Sequence, residues 1–158
     1  MIHNVIILCA KYLFVLPAVL CVWHLFNLNP NRRVAWIIRM AITGAIAFIF
    51  AKVSGAVYFD VRPFVIMHQA AWIKHVPDNG MPSDHTLVAM SATALLLPER
   101  RALAAVGLVA TVLAGTSRVV CLLHSPLDIS ASILFGTIAG MIGYLLENRL
   151  KQSKTVRK

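Results

Sequence analysis

The chain has 158 residues, 59% of them hydrophobic, a mean hydropathy of +0.76 and a net charge of +9. It is too apolar for an ordinary soluble domain, and its long apolar runs exclude a disordered chain. The positive charge does not point to nucleic acid, because the basic residues fall in alternate connections between apolar runs and in the tail, a positive-inside distribution.

Membrane crossing needs about 20 apolar residues per helix. Val5 to Phe26 supplies the first such run, read as a retained span because no basic n-region precedes it. Pro17 can kink it, and Lys11 can snorkel to the outer surface. The turn Asn27 to Arg33 is basic and therefore expected inside. Val34 to about Val53 returns outward, with Arg39 counted among the basic residues of the inner connections. From Ser54 to Met81 the chain turns polar, with Tyr58, Phe64 and Trp72 suited to an interface, so an outer loop with short interfacial helices is expected.

Ser83 to Leu97 is apolar but gives only roughly 22 Å of helix, short for a full span. With its inner end set by Pro98 to Arg101, its outer end should start below the membrane surface and recess Pro82-Ser83-Asp84-His85 in a pocket. Ala102 to about Val120 runs outward and Leu127 to Leu146 runs back to a basic tail at 150–158. The expectation is an all-α polytopic bundle of about five transmembrane helices, a single domain over 1–158. Its N-terminus would lie outside and its tail would anchor inside near anionic lipid. Cys9, Cys21 and Cys121 form no disulfide framework and read as buried thiols, and His3 and His24 read as interfacial.

This topology brings Lys52, Arg62, His85, Arg118, His124 and Asp128 to one side and one depth, from three separate segments. Ionisable residues at such helix ends face water, one another or a ligand. Ser125-Pro126-Leu127-Asp128 reads as a helix start, with Ser125 as cap, Pro126 first and Asp128 in the first turn. His124 can then donate its Nδ1–H to Asp128 and leave Nε2 free. The plain alternative is a capping box beside an interfacial histidine. Singly, Lys52 could snorkel, Arg62 could pair with Asp60 and Arg118 with Asp128. Together with the helix N-terminus at Ser83 they suit a phosphoryl group, which backbone N–H groups and guanidinium forks bind well.

Lys52…Arg62-Pro63, Pro82-Ser83-Asp84-His85 and Ser117-Arg118…His124…Asp128 resemble the three-part signature of the type 2 phosphatidic acid phosphatase superfamily. Nine residues between Lys52 and Arg62-Pro63-Phe64, and the run His75 to Thr86, look like the bacitracin-resistance undecaprenyl diphosphatases. The Lys52-to-Arg62 spacing is longer than the wider pattern and Asp84 stands where many members have Gly; the undecaprenyl branch shares both. The Asp84 side chain is expected to point away from the anion.

The resemblance implies that His124 attacks the terminal phosphorus while Asp128 fixes its tautomer. Lys52, Arg62, Ser83, Arg118 and the amides from Asp84 onward would stabilise the phosphoryl oxygens, and His85 would act as acid and then base. It implies no metal or other cofactor. A cluster of His68 and His75 with His85 and His124 would be the alternative, though no regular ligand spacing supports it. The implied substrate is undecaprenyl diphosphate, on the outer face of the bacterial cytoplasmic (inner) membrane. Alternatives are phosphatidylglycerophosphate, phosphatidic acid or lipid A, transfer to an acceptor other than water, and a non-catalytic binder of anionic lipid. No feature assigns an oligomeric state.

Overall fold

The computed structural model describes the backbone of residues 1–156 and the side chains of residues 1–149. The expected anchoring by the basic tail at 150–158 lies outside those side chains. The described chain is all-helical: α1 (Ile2–Tyr12), α2 (Val15–Phe26), α3 (Pro30–Val57), α4 (Pro63–Ile66), α5 (Asp84–Leu96), α6 (Arg101–Val120) and α7 (Pro126–Val156). Three helices, α3, α6 and α7, are long and apolar enough to cross a membrane, and the α1–α2 pair meets the same test only when taken together, as a broken fourth span or a re-entrant loop. This is a polytopic helical membrane protein.

The first run is two helices bent by 49°, not one. Pro17 explains where it breaks. It has no N–H to give the carbonyl four residues earlier, which is that of Leu13, and its ring crowds that carbonyl. Leu13 instead accepts the Leu16 N–H at 3.1 Å in a tighter turn. The proline therefore acts one turn ahead of itself and leaves Phe14 at the elbow.

α5 lies in the middle, packed by α2, α3, α6 and α7, and ten of its thirteen residues are buried. At 13 residues it is too short for a span, and its neighbours rather than lipid cover most of it. Small residues (Ala89, Ser91, Ala92, Thr93, Ala94) let the neighbours approach closely, as in membrane interfaces generally. Gly140 of α7 sits against Ala94, where a Cβ would collide. The outward faces of α3 and α6 carry exposed Ile37, Phe48, Ile49, Val109 and Leu113, as lipid-facing helices should.

Two residues expected in inner connections or at the interface are buried instead. α3 starts at Pro30, which places Arg39 well inside the helix and 2% exposed. Its Nη2 lies 2.6 Å from Glu99 Oε1 and 2.7 Å from Glu147 Oε2, and its guanidinium covers the rings of Trp36 and Tyr144. His24 is 1% exposed and gives its Nε2–H to Glu99 Oε2 at 3.2 Å, where Arg32 also binds at 3.0 Å. The charges gather because paired ions tolerate burial that single ones do not. In this way α2, α3, the α5–α6 turn and α7 are tied at the end that carries the basic turns.

Candidate active site

The opposite end holds the residues that the motifs singled out. α6 ends in a Schellman turn: Leu123 N–H reaches the Arg118 carbonyl at 3.0 Å and Leu122 N–H the Val119 carbonyl at 2.9 Å. The residue at the left-handed position is Leu122, with φ 62°, where glycine is usual. That strained corner turns the chain so that His124 points back toward Arg118.

α7 then starts as the spacing predicts. Asp128 N–H donates to Ser125 Oγ at 3.2 Å and Ser125 N–H donates to Asp128 Oδ2 at 2.9 Å, a reciprocal cap. The same carboxylate oxygen lies 3.2 Å from His124 Nδ1, and the Gly80 carbonyl lies 3.0 Å from it. Two acceptors on Nδ1 assign its proton there and leave Nε2 with a lone pair. The capping-box and histidine-orienting readings of this stretch are both realised, by one carboxylate.

His124 Nε2 faces two guanidiniums. Arg118 Nη2 lies 3.2 Å away and Arg62 Nη1 3.4 Å away. Neither arginine takes the pairing considered from sequence. Arg62 binds Asp78 Oδ1 through Nε at 2.6 Å and the Leu123 carbonyl through Nη1 at 2.7 Å. Asp60 accepts the Ser125 hydroxyl at 2.5 Å. Arg118 forms no ion pair among the described residues; its Nη1 donates to the Ala10 carbonyl at 3.1 Å, near the end of α1 where helix carbonyls lack partners.

A polar cavity of about 340 Å³ opens here, walled by Lys52, Arg62, Asp84, His85, Arg118 and His124, with His75, Asp78 and Asn79 at its side. Ser83 is fully buried and does not reach the wall; its Oγ accepts the Thr86 hydroxyl at 3.2 Å and forms no cap bond. It stands behind the start of α5, whose first N–H groups have no helical partner. Asp84 is exposed at the rim. The His85 ring packs edge-on against Phe14, with centroids 4.3 Å apart. Burial pushes His124 below the usual histidine range; the Asp128 hydrogen bond opposes this, and Arg118 and Arg62 add to it. For Asp78, burial alone would raise the carboxyl, but the Arg62 hydrogen bond and charge hold it below its usual range.

His75 joins His85 and His124 around the cavity and His68 does not. Among the described residues no three His, Cys, Asp or Glu side chains are placed to hold a metal ion. The sequence pointed to neither Ala10 nor Phe14 of the first span, and Asp78 and Asn79 read there only as shaping the turn into the helix at Ser83. Pro17 and the Asn-Gly pair were the available signals.

A second, apolar cleft of about 530 Å³ runs between α2, α3 and α5 and shares Ala51, Lys52 and Asp84 with the polar cavity. Lys52 sits at this junction, its Nζ 5.3 Å from the Phe48 ring centre.

Known proteins resemble this chain over most of its length. The chain is 26% identical over 150 residues to undecaprenyl-diphosphatase BcrC of Bacillus subtilis, covering 94% of this chain and 76% of that one. It is 29% identical over 143 residues to the bacitracin transport permease protein BcrC of Bacillus licheniformis, covering 89% and 70%. With YbjG of Escherichia coli it shares 32% identity over 146 residues, covering 92% and 71%. The family model described as PAP2 superfamily matches residues 34–152, which takes in every residue of the cavity wall. The chain belongs to the PAP2 superfamily.

Proposed function

We propose that this protein is a membrane lipid phosphatase that removes the terminal phosphate of undecaprenyl diphosphate through a phosphohistidine, returning the carrier lipid to cell-wall synthesis. The observation that carries the reading is His124 itself. Its Nδ1 is tied by two acceptors while its lone-pair Nε2 lies within 3.4 Å of two guanidiniums on a cavity wall. A site that only bound anions would need the cations but not a nucleophile oriented among them. The relatives named undecaprenyl-diphosphatase support the substrate, and so does the adjoining apolar cleft, in which a polyprenyl tail can lie while its headgroup occupies the polar cavity.

In this mechanism His124 Nε2 forms the N–P bond as the bond to the bridging oxygen breaks. His85 gives a proton to that departing oxygen, which stays on the lipid monophosphate. His85 then takes a proton from water, whose oxygen attacks phosphorus and breaks the N–P bond, releasing inorganic phosphate. Lys52, Arg62, Arg118 and the amides that follow Ser83 stabilise the transferred oxygens without a metal ion. Asp128 holds the imidazole. The site faces the outside of the bacterial inner membrane, and the tail lies in the cytoplasm.

Phosphate release by the purified protein in detergent with EDTA tests this directly. Undecaprenyl diphosphate should be turned over in preference to phosphatidylglycerophosphate, phosphatidic acid and lipid A, and His124→Ala should not turn it over. Equal rates on all of them would make the protein a broad lipid phosphatase. Phosphate passed to an acceptor but not to water would make it a phosphotransferase. Activity only with a divalent cation restored would sink the metal-free mechanism.

A further inference from the structure

The loop Asp78-Asn79-Gly80-Met81 reads from sequence as a turn leading into α5, yet it supplies the nearest acceptor to His124 Nδ1. The Gly80 carbonyl lies at 3.0 Å and Asp128 Oδ2 at 3.2 Å. Asp128 Oδ2 is also shared, since it accepts the Ser125 N–H at 2.9 Å. The two acceptors converge on one imidazole only because residue 80 has no side chain: a Cβ there would lie 2.8 Å from Asp128 Oδ2 and 3.3 Å from the Asp60 carbonyl.

What aims the Gly80 carbonyl is Asn79. Its Oδ1 accepts the N–H groups of Asp60 and Met81, each at 2.9 Å. Its Nδ2 donates to the carbonyls of Gly55 at 2.9 Å and Tyr58 at 3.0 Å. That uses both donors and both lone pairs of the amide. The Met81 N–H and the Gly80 carbonyl belong to one planar peptide unit and point opposite ways, so holding the first directs the second. Gly80 N–H is held in turn by the Asp60 carbonyl at 2.9 Å. Both peptides around Gly80 are thereby anchored, and the free end of one is its carbonyl at His124.

We infer that Asn79 is a positioning residue for the nucleophile: through the Gly80 carbonyl it selects the Nδ1–H form of His124, jointly with Asp128. The inference rests on the phosphohistidine reading. Its consequence is that Asp128 is not the sole orienting group, and that the loop ahead of α5 bears on the reactivity of a residue 44 positions further along the chain.

Histidine-selective 15N NMR of the full-length protein in detergent tests it, with His124→Gln assigning the His124 signal. His124 should show the Nδ1–H tautomer in the wild type and keep it in Asp128→Ala, because the Gly80 carbonyl remains. It should lose that single form in the Asn79→Ala/Asp128→Ala double variant. In turnover of undecaprenyl diphosphate, Asn79→Ala should lower kcat roughly ten- to a hundredfold with KM nearly unchanged, as for a misaimed nucleophile in an intact phosphate site. Asn79→Asp, which keeps the acceptor for Met81 N–H, should recover much of that loss, and it serves as the second variant if alanine prevents folding.

Conversion of His124 to the Nε2–H tautomer by Asp128→Ala alone would overturn the inference. So would a rise in KM matching the fall in kcat in Asn79→Ala. A wild type that releases phosphate from no lipid phosphate would sink the catalytic reading instead, while the tautomer measurement, which needs no turnover, would still decide the role of Asn79.

Discussion

The two ends of the helix bundle both bury arginines, and they use them in opposite ways. At the end with the basic turns, Arg39 has two carboxylates within 2.7 Å, and Glu99 also holds Arg32 and His24. At the other end, Arg118 is 4% exposed with no ion pair among the described residues, and Arg62 spends one nitrogen on Asp78 while others face a carbonyl and His124. Arg39, held by two carboxylates, fastens helices together. Arg118, with one carbonyl and an imidazole, still has charge to offer an anion, and Arg62 stands between the two with a single carboxylate. Burial alone therefore does not separate a site from a clamp; the partner does.

Substitutions at the two ends should split accordingly. The largest effect is expected from His124→Ala, which should cut phosphate release by roughly a thousandfold or more while leaving thermal unfolding in detergent close to wild type. Next comes Arg118→Met, expected to lower kcat/KM roughly a hundred- to a thousandfold. Its Tm should hold or rise, because it removes a buried charge and strands no carboxylate.

Arg39→Met is the counterpart at the clamped end. It removes the guanidinium that bridges Glu147 and Glu99 and should cost about 3–5 kcal/mol of stability, with the rate per folded molecule little changed. If Arg39→Met abolished turnover at full stability, or Arg118→Met unfolded the protein at full specific activity, the contrast would be wrong. Glu99→Gln should be milder, about 1–2 kcal/mol, since the amide still accepts a hydrogen bond.

Acid sharpens the same comparison. His124 is held below its ordinary value of 6.5 by burial, so its neutral, nucleophilic form persists as the pH falls through that value. The acid limb of phosphohistidine formation in a single turnover should lie below 6.5, and a limb above that value would contradict the lowered basicity of His124. Glu99 lies in the turn between α5 and α6. Burial would raise its carboxyl, but His24 and Arg39 outweigh that and hold it below its ordinary 4.5. A depressed carboxyl adds stability above its unfolded value, lost as pH falls toward the folded one, so acid unfolding should steepen below 4.5 in the wild type and flatten in Glu99→Gln.

Much of the site was legible before any coordinates. Ser125, Pro126 and Asp128 announce a helix start by residue type and spacing, and that start delivers Asp128 to His124. The motif at the start of α5 singled out Asp84 and His85, and both line the polar cavity. Other features were not readable. Arg39 looked like one more inner-connection charge because nothing nearby in the chain announces Glu147, 108 residues away. His24 looked interfacial because its partner lies beyond three helices, at Glu99, 75 positions further along the chain. Ser83 looked like a phosphate ligand by motif, yet the packing of α7 against α5 encloses it, with Ser132 donating to its carbonyl at 3.1 Å.

By itself the sequence determined where helices run and which residues carry chemistry, because apolar length, caps, prolines and motif spacing act over a few neighbouring positions. Only the tertiary structure decided which charges are matched and which are left to a ligand. It also decided that Phe14 meets His85, and that the Gly80 carbonyl meets His124. Those outcomes depend on how closely α5 is enclosed by its neighbours and on the angle at the α1–α2 break, and such distances exist only once distant segments have packed.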